Sequence, residues 1–415
     1  MHRPSFDSAR SRAYGRNLAL DLLVAVGVGV TLAVVTSLLP TIARRGGLEP
    51  IGLAALGAAP FVANLLGAFA GRFGPRTPAQ LSVIRGLGAV ALVGILLVPV
   101  PPVMIGVAVL FWMSLSFGGP LHLRLWGVMY PARVRGRVLG FSGMCRAAAM
   151  AIAALAGGVL ADRLGGPPVI ALAGLVGVGC AVGYALFRTE STGRPAVFSA
   201  RQAIHALRER PVLSRLAVAQ GFYGGGLIAA APLFALVNVD RLELSLGMVG
   251  VIGILNALAT TVAFPIWGAV TDRHGGLVGM RIGGVLGVLS LVGYALAPDV
   301  SVLFVAAVLG GIAGASIDVG IGAVVSDQTT LADRSAAMAG WNALTGARGI
   351  VAAFLMSALV QIGLVDVTTG LLLCAAASLV GVGLFMRTRP GVPVETRAWE
   401  IQAGAPRPAG AVMAA

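Results

Sequence analysis

The sequence predicts an all-α, polytopic membrane protein with 12 transmembrane helices, arranged as two pseudo-symmetric six-helix bundles. Three observations carry this prediction. The composition is too apolar for a water-soluble fold, the apolar residues fall into runs of membrane-spanning length, and a motif recurs at an offset of 201 residues.

The composition identifies lipid as the main solvent of the chain. The 415 residues are 57% hydrophobic and 11% charged, with a mean hydropathy of +0.92. A soluble protein carries about 25% charged residues and roughly 45–50% apolar ones. The net charge of +14 comes from 30 basic residues, all of them arginine, against 16 acidic ones. A nucleic-acid binder would gather such charge on a soluble domain. The sequence has no such domain, so no nucleic-acid partner is expected.

The cysteines and the N-terminus exclude two further classes. Cys145, Cys180 and Cys374 each lie in an apolar run without CxxC or Cys/His spacing, which argues against a disulfide framework and a zinc site. No metal or cofactor is expected. The apolar run 17–40 follows four arginines but is too long for the core of a signal peptide, so it is predicted to be an uncleaved first span.

Crossing the hydrocarbon core takes about 20 apolar residues in a helix, and twelve runs of that length occur. Helices 1 to 12 are predicted at 17–40, 49–70, 79–99, 102–127, 138–160, 168–187, 212–238, 247–270, 277–297, 300–326, 336–361 and 366–386. The predicted organisation is an N-terminal cytoplasmic segment (1–16), an N-terminal six-helix bundle (17–187), a cytoplasmic linker (188–211), a C-terminal six-helix bundle (212–386) and a disordered cytoplasmic tail (387–415).

The linker is predicted to contain a short amphipathic helix. Residues 199–210 have helical spacing and begin with Ser199, a candidate N-cap. The helix is expected to lie on the inner leaflet and to join the two bundles, with His205 on its exposed polar face.

The arginines predict the orientation. If the N-terminus is cytoplasmic, the inside segments hold 21 arginines and the outside segments hold four, with five more inside spans. Cytoplasmic loops are the ones enriched in arginine and lysine. Both termini are therefore predicted to be cytoplasmic.

The repeat lies at the ends of helices 2 and 8. Residues 67–74 and 268–275 both read G-A-x-x-x-R-x-G. The loop after helix 4, around Arg133 to Arg137, has a counterpart near Arg334 after helix 10 at a similar offset. Two coincident offsets at equivalent helix ends indicate a duplicated six-helix unit.

These motifs resemble those of the major facilitator superfamily over the whole chain apart from its two tails. The family signature has the form G-x-x-x-D-R-x-G-x-R-R. The second half matches it at Gly268, Asp272, Arg273 and Gly275. The first half keeps a subset of the pattern, at Gly67, Arg72, Gly74 and Arg76, but has Gly71 where the acid belongs. The resemblance implies a cytoplasmic gating motif, weakened in the first half, whose contacts form in one conformation and break in another; the alternative is a static topology anchor.

Two acids fall inside predicted spans, and charge in hydrocarbon marks a cavity or a partner. Asp318 in helix 10 is the first candidate for proton coupling, because the resemblance places helices 1, 4, 7 and 10 around a central cavity. The alternative is a structural salt bridge to Arg348. Asp21 is the second candidate, although it lies close enough to the inner interface to be hydrated.

His122, Arg124 and Asn256 are candidates for lining a substrate cavity. His122 and Arg124 follow Phe117-Gly-Gly-Pro120 in helix 4 and could meet an anionic substrate. Asn64 and Asn256 are expected to hydrogen-bond between helices. The embedded arginines are Arg85, Arg124, Arg146, Arg281 and Arg348. Most lie near the cytoplasmic helix ends, and Arg85 and Arg281 above all are interpreted as side chains that reach the cytoplasmic interface.

The resemblance implies secondary transport of a small molecule across the inner membrane of a bacterium by alternating access, with proton-coupled efflux as the leading mode. Facilitated or proton-coupled uptake is an alternative, and a non-transporting sensor or assembly protein is another. Two drug-antiporter marks are absent: helix 4 has no central arginine, and Ala153-Ala154 replace Gly-Pro in helix 5. No Walker, HExxH or G-x-S-x-G motif occurs, so no enzymatic activity is expected. The expected partners are the substrate, protons and the lipid bilayer, and the chain is expected to be monomeric.

Overall fold

The structure, a computed structural model, describes residues 5–67, 76–130, 132–188 and 200–389. The described part is helical throughout and contains no strand. Twelve of its helices are long and apolar enough to cross a membrane. The predicted fold class is therefore confirmed: the chain is a multi-pass membrane protein with twelve spans.

The helices carry the numbers of the predicted spans. Helix 1 runs over Ser5–Ala33 and continues through a π-helical turn, Val34–Leu38, into Leu39–Arg45. The others are helix 2 (Pro50–Gly67), helix 3 (Pro78–Val93), helix 4 (Pro101–Met129), helix 5 (Ala132–Leu164), helix 6 (Gly166–Ala185), the linker helix (Ala200–Arg208), helix 7 (Pro211–Leu236, then a π-helical turn Val237–Arg241), helix 8 (Leu246–His274), helix 9 (Gly276–Leu296), helix 10 (Val300–Gln328), helix 11 (Leu331–Gln361) and helix 12 (Val367–Arg387).

Several helices extend beyond the predicted apolar runs. Helix 5 begins six residues earlier than predicted and ends at Leu164, and helix 8 ends at His274. Arginine and aspartate do not stop a helix; a residue in the left-handed region does. Gly165 and Gly275 have φ values of +86° and +81° and end helices 5 and 8.

The two halves share their packing as well as their sequence motif. Gly27 of helix 1 packs directly against Cys180 of helix 6, and Gly226 of helix 7 packs in the same way against Ser378 of helix 12. The two glycines are 199 residues apart and their partners 198 apart. A side chain at either glycine would collide with its neighbour, so small residues set the close approach of the helices.

The bundle has two ends, which we name from the chain. The terminal end carries the start of helix 1, the linker helix and the end of helix 12. The distal end carries the turns after helices 1, 3, 5, 7, 9 and 11. Helix 5 packs against helix 8, and helix 2 packs against helix 11. Gly250 of helix 8 meets Ala154 of helix 5, and Gly349 of helix 11 meets Phe61 of helix 2. These two seams join the halves.

The linker helix is covered on its apolar side by protein. Its buried residues Ala203, Ala206 and Leu207 face helix 11, where Gly340 packs against the backbone of Ala203. Arg210 then donates hydrogen bonds to Asp333 and to the carbonyl of Gln328, at 2.9 and 2.8 Å. His205 is exposed and lies 3.3 Å from Glu209. The helix thus attaches to the C-terminal half. Its position on the inner leaflet stays a prediction, and its candidate N-cap, Ser199, lies outside the described residues.

Candidate functional site

A buried polar pair connects helices 1 and 4 inside the N-terminal half. The Asp21 side chain is 0% exposed. Its Oδ1 atom lies 3.2 Å from His122 Nε2 and accepts a hydrogen bond from Trp126 Nε1 at 2.9 Å. His122 and Trp126 are four residues apart and so share one face of helix 4. The expectation that Asp21 is hydrated near the interface is wrong in this structure, because its side chain is completely buried.

Aromatic and basic side chains surround this pair. Tyr184 of helix 6 lies edge-on to the His122 ring, with 5.1 Å between centroids, and its hydroxyl is 3.5 Å from His122 Nδ1. The guanidinium of Arg85 from helix 3 lies 5.9 Å from the Tyr184 ring centroid. Arg85 therefore lies within the N-terminal half instead of reaching the interface, and His122 faces Asp21 instead of an open cavity wall. A small cavity beside Tyr184 has a volume of about 30 Å³, the size of one water molecule, and is too small for a substrate.

Asp318 lies on the side of helix 10 that faces away from lipid. Its side chain is exposed and forms no hydrogen bond or ion pair with any described residue. Val305, 60% exposed, marks the lipid-facing side of the same helix. At 100° per residue, Asp318 is about 140° around the helix from Val305. Gly314, one turn away, is also exposed. Asp318 therefore borders the space between the two halves.

The alternative salt bridge between Asp318 and Arg348 is wrong in this structure. Arg348 donates through Nη1 to the backbone carbonyl of Gln220 in helix 7, at 2.6 Å, and no carboxylate of the described residues lies within ion-pair distance of it. The Arg348 guanidinium can approach the backbone of helix 7 because Gly224 has no side chain there.

Arg146 of helix 5 is exposed within a span but lies away from the lipid-facing side of its helix, a position that the sequence interpretation missed. It is exposed, yet the lipid-facing stripe of helix 5 holds Phe141, Met144, Ile152 and Val159, and Arg146 lies about 140° around the helix from Phe141. The Arg146 backbone contacts Gly29 of helix 1, and Ala154 contacts helix 8. Arg146 thus lies between the directions of helices 1 and 8. The period-3.6 lipid stripe was the sequence signal that could have found it.

The remaining predicted polar residues occupy different places. Arg124 is half-buried, 3.4 Å from the Pro120 carbonyl. Asn256 donates to the Ala307 carbonyl of helix 10 at 3.0 Å, and the Ser116 hydroxyl of helix 4 is 3.5 Å from Asn64 Oδ1. Both asparagines therefore hydrogen-bond between helices as expected. Arg281 is held by the carbonyls of Phe385 and Thr388.

The gating motif is only partly described. Arg72 and Gly74 lie outside the described residues. Gly67 ends helix 2, and Arg76 is exposed just before helix 3. In the second half, Gly268 lies within helix 8, Asp272 and Arg273 are exposed in its last turn, and Gly275 forms the turn into helix 9. The role of the motif as a latch stays a prediction.

Polar contacts hold the halves together at the distal end. Asp162, in the last turn of helix 5, accepts hydrogen bonds from the backbone N–H groups of Leu246 and Gly247 at 2.8 and 2.7 Å. Those groups open helix 8, whose N-terminus favours a negative charge. Arg44 pairs with Asp240 at 2.8 Å. Gln361 of helix 11 donates to Glu49 at 2.8 Å. We call these three contacts the distal latch.

Comparisons with known proteins agree with this architecture. Residues 216–411 match the family model described as Major Facilitator Superfamily. No curated protein matches the chain by sequence. The solved nucleoside transporter NupG has a TM-score of 0.74 at 13% identity, over 90% of this chain and 99% of that one. A bacterial homologue of the human lysosomal transporter Spinster has a TM-score of 0.67 at 14% identity, over 92% and 97%. The human organic anion transporter TETRAN has a TM-score of 0.64 at 14% identity, over 90% and 99%.

The fold and the two seams define a membrane protein of paired six-helix bundles, of the kind found in solved transporters. The family match over residues 216–411 and the fold over nearly the whole chain both agree with the resemblance to the major facilitator superfamily that the sequence motifs indicate. No subfamily follows from the comparisons.

Removal of the Asp21 carboxylate tests whether the buried pair is structural. Asp21→Leu leaves His122 and Trp126 as buried polar groups without their partner, at a cost of about 1–3 kcal/mol. We expect a lower melting temperature of the purified protein, with a smaller decrease for Asp21→Asn, which keeps an acceptor. Asp318→Asn is the matched control, since Asp318 has no such partner. An unchanged melting temperature for Asp21→Leu would contradict this account.

Removal of one charge from the distal latch should loosen the distal end. Asp162→Asn can accept from only one of the two N–H groups and loses its interaction with the helix N-terminus, about 1 kcal/mol or more. The label site is Ser37→Cys, because Ser37 lies against Gly253 at the seam, in a background without the native cysteines. We expect several-fold faster labelling by a membrane-impermeant maleimide from the distal side. Asp299→Asn, which removes an acidic charge at a helix N-terminus within one half, should leave the rate unchanged; equal rates in both variants would refute the latch.

Proposed function

We propose that this protein is a secondary active transporter that moves a small molecule across the cytoplasmic membrane by alternating access, with efflux driven by proton entry. The observation that carries this proposal is a contrast within the bundle. The halves are joined at the distal end by polar contacts that can break and re-form, while Asp318 is exposed on the inward side of helix 10. A transporter of this type needs closable seams around a reachable central site.

The arginine distribution supports an orientation in which the terminal end is cytoplasmic. With that orientation the distal latch closes the outer side, and Asp318 is reached from the cytoplasm. The proposed state is inward-facing. A bacterial inner membrane as the location and an absence of enzymatic activity belong to the same proposal.

Asp318 is proposed as the coupling residue. A carboxylate that is exposed and has no described partner is free to exchange a proton with the cavity. A carboxylate enclosed by His122 and Trp126, as Asp21 is, must break hydrogen bonds to do so. In efflux, a proton that enters from outside displaces the substrate's cationic group from Asp318. Proton and substrate then compete for one site, which enforces their exchange.

The test uses proteoliposomes with an imposed proton gradient, loaded with whichever ligands stabilise the protein in a thermal-shift screen. Asp318→Asn should abolish gradient-driven flux by at least tenfold. Substrate exchange without a gradient should persist at a higher substrate concentration, because exchange requires no protonation but the substrate's cationic group has lost its carboxylate. Glu209→Gln, which removes an exposed acid of the terminal end, is the control. Gradient-driven flux that survives Asp318→Asn would refute the coupling role, and an absence of flux for every bound ligand would support a non-transporting sensor instead.

A further inference from the structure

Arg146 is a permanent charge without a described counter-ion. It forms no ion pair or hydrogen bond with any described residue. An arginine stays protonated at any accessible pH, and a charge within a span is costly unless it faces a cavity or a partner. Arg146 lies away from the lipid-facing stripe and between helices 1 and 8, so its exposed side chain faces the space between the halves and not the lipid.

The wall around Arg146 is positive. Arg85 of helix 3 is a second cation of this half, and its guanidinium lies 5.9 Å from the Tyr184 ring centroid. Asp21, the acid that contacts His122, is 0% exposed. The N-terminal half therefore presents an exposed cation at Arg146, while the Asp21 carboxylate is buried.

The opposite wall offers an exposed anion at the same depth. Asp318 lies 18 residues from the distal end of helix 10, and Arg146 lies 18 residues from the distal end of helix 5. At 1.5 Å per residue both are roughly 27 Å from that end. Arg146 and Asp318 thus lie at the same depth of the bundle, on two helices that both pack against helix 8.

We propose that the transported molecule is a zwitterion, with its anionic group bound by Arg146 and its cationic group bound by Asp318. This proposal rests on the proposed function, because it uses the same cavity. A guanidinium can donate two parallel hydrogen bonds to a carboxylate. A simple cation would be repelled by Arg146 and a simple anion by Asp318, so the two charges select against both.

The arrangement also links binding to movement. Arg146 belongs to one half and Asp318 to the other, so a zwitterion held by both pulls the halves together at the terminal end. Binding energy that exists only in the closed state is what shifts a two-state equilibrium. A proton on Asp318 would release the cationic group and leave the molecule held by Arg146 alone.

Binding to purified protein tests the proposal without any flux. The probes are the standard amino acids and a set of dipeptides as zwitterions, their C-terminal amides as cations and their N-acetyl forms as anions. We expect at least one zwitterion to bind, with each blocked form at least tenfold weaker. Arg146→Gln should weaken the zwitterion and the N-acetyl form at least tenfold and should strengthen the amide, because it removes the charge that repels a cation. Arg146→Lys should restore part of the binding, and Arg163→Gln, at an exposed arginine of the distal end, should have no effect.

Three outcomes overturn the proposal: no zwitterion of the panel binds, an amide or N-acetyl form binds as tightly as its parent, or Arg146→Gln weakens the amide and the zwitterion alike. The last result would show that Arg146 supports the structure of the site and does not bind the anionic group. Loss of flux with intact zwitterion binding would refute the proposed transport and leave the ligand class standing.

Cysteine labelling gives a readout that needs no ligand. In a background without native cysteines, Arg146→Cys and Asp318→Cys are treated from the terminal side with a methanethiosulfonate that carries either a sulfonate or a trimethylammonium group. The Asp318→Cys protein should react faster with the sulfonate reagent, because Arg146 remains, and the Arg146→Cys protein should react faster with the ammonium reagent. Failure of either variant to react, or the same preference in both after correction for intrinsic reactivity, would show that the residues do not face one cavity.

Discussion

The contact between Asp162 and the start of helix 8 is the constraint on which the arrangement of the two halves depends. One carboxylate satisfies two backbone N–H groups that the helix itself leaves unpaired. The residues behind it are small: Gly158 packs directly on the backbone of Leu246, and Gly250 packs on that of Ala154. Because both backbones approach closely, the seam is tight where the carboxylate caps it. Arg44 with Asp240 and Gln361 with Glu49 add contacts at the same end. All of them are polar and partly exposed, so each is weak enough to break.

The charged side chains within the spans fall into two groups: those that bond to other parts of the protein and those that are exposed. Asp21 is paired and enclosed, and it connects helix 1 to helix 4. Arg281 and Arg348 donate to backbone carbonyls of neighbouring helices, so they stabilise helix packing within the C-terminal half. Asp318 and Arg146 are the exposed pair, one in each half. In the proposed transport mechanism, charges without protein partners are the ones available to a substrate or a proton. A group already bonded to the protein must first break those bonds.

The sequence predicted the fold because each contributing signal is local or periodic. The length of the apolar runs, the arginine bias and the 201-residue repeat can all be recognised without knowledge of any contact between residues. The site was predicted less completely. Asp318 could be singled out because an acid within a span is unusual. Its alternative partner, Arg348, instead donates a hydrogen bond to helix 7, and that contact depends on the space left by Gly224. Asp21 and His122 were each singled out, yet their pairing requires the relative rotation of helices 1 and 4. Arg146 was interpreted as one of several embedded bases, because its distinguishing feature is the angle to the lipid-facing stripe of helix 5.

The central claim is that the distal and terminal ends open in alternation. Spin labels at Leu97→Cys and Ile362→Cys report the distal end, and labels at Arg137→Cys and His274→Cys report the terminal end; all four native positions are exposed. Distances between the labels would be measured by pulsed electron–electron double resonance, with and without a bound ligand. The measurements would be repeated above and below the pH at which transport is half-maximal. The account predicts opposite changes: conditions that lengthen the distal distance shorten the terminal one. Distances that change together, or do not change in any condition, would contradict alternating access in this protein.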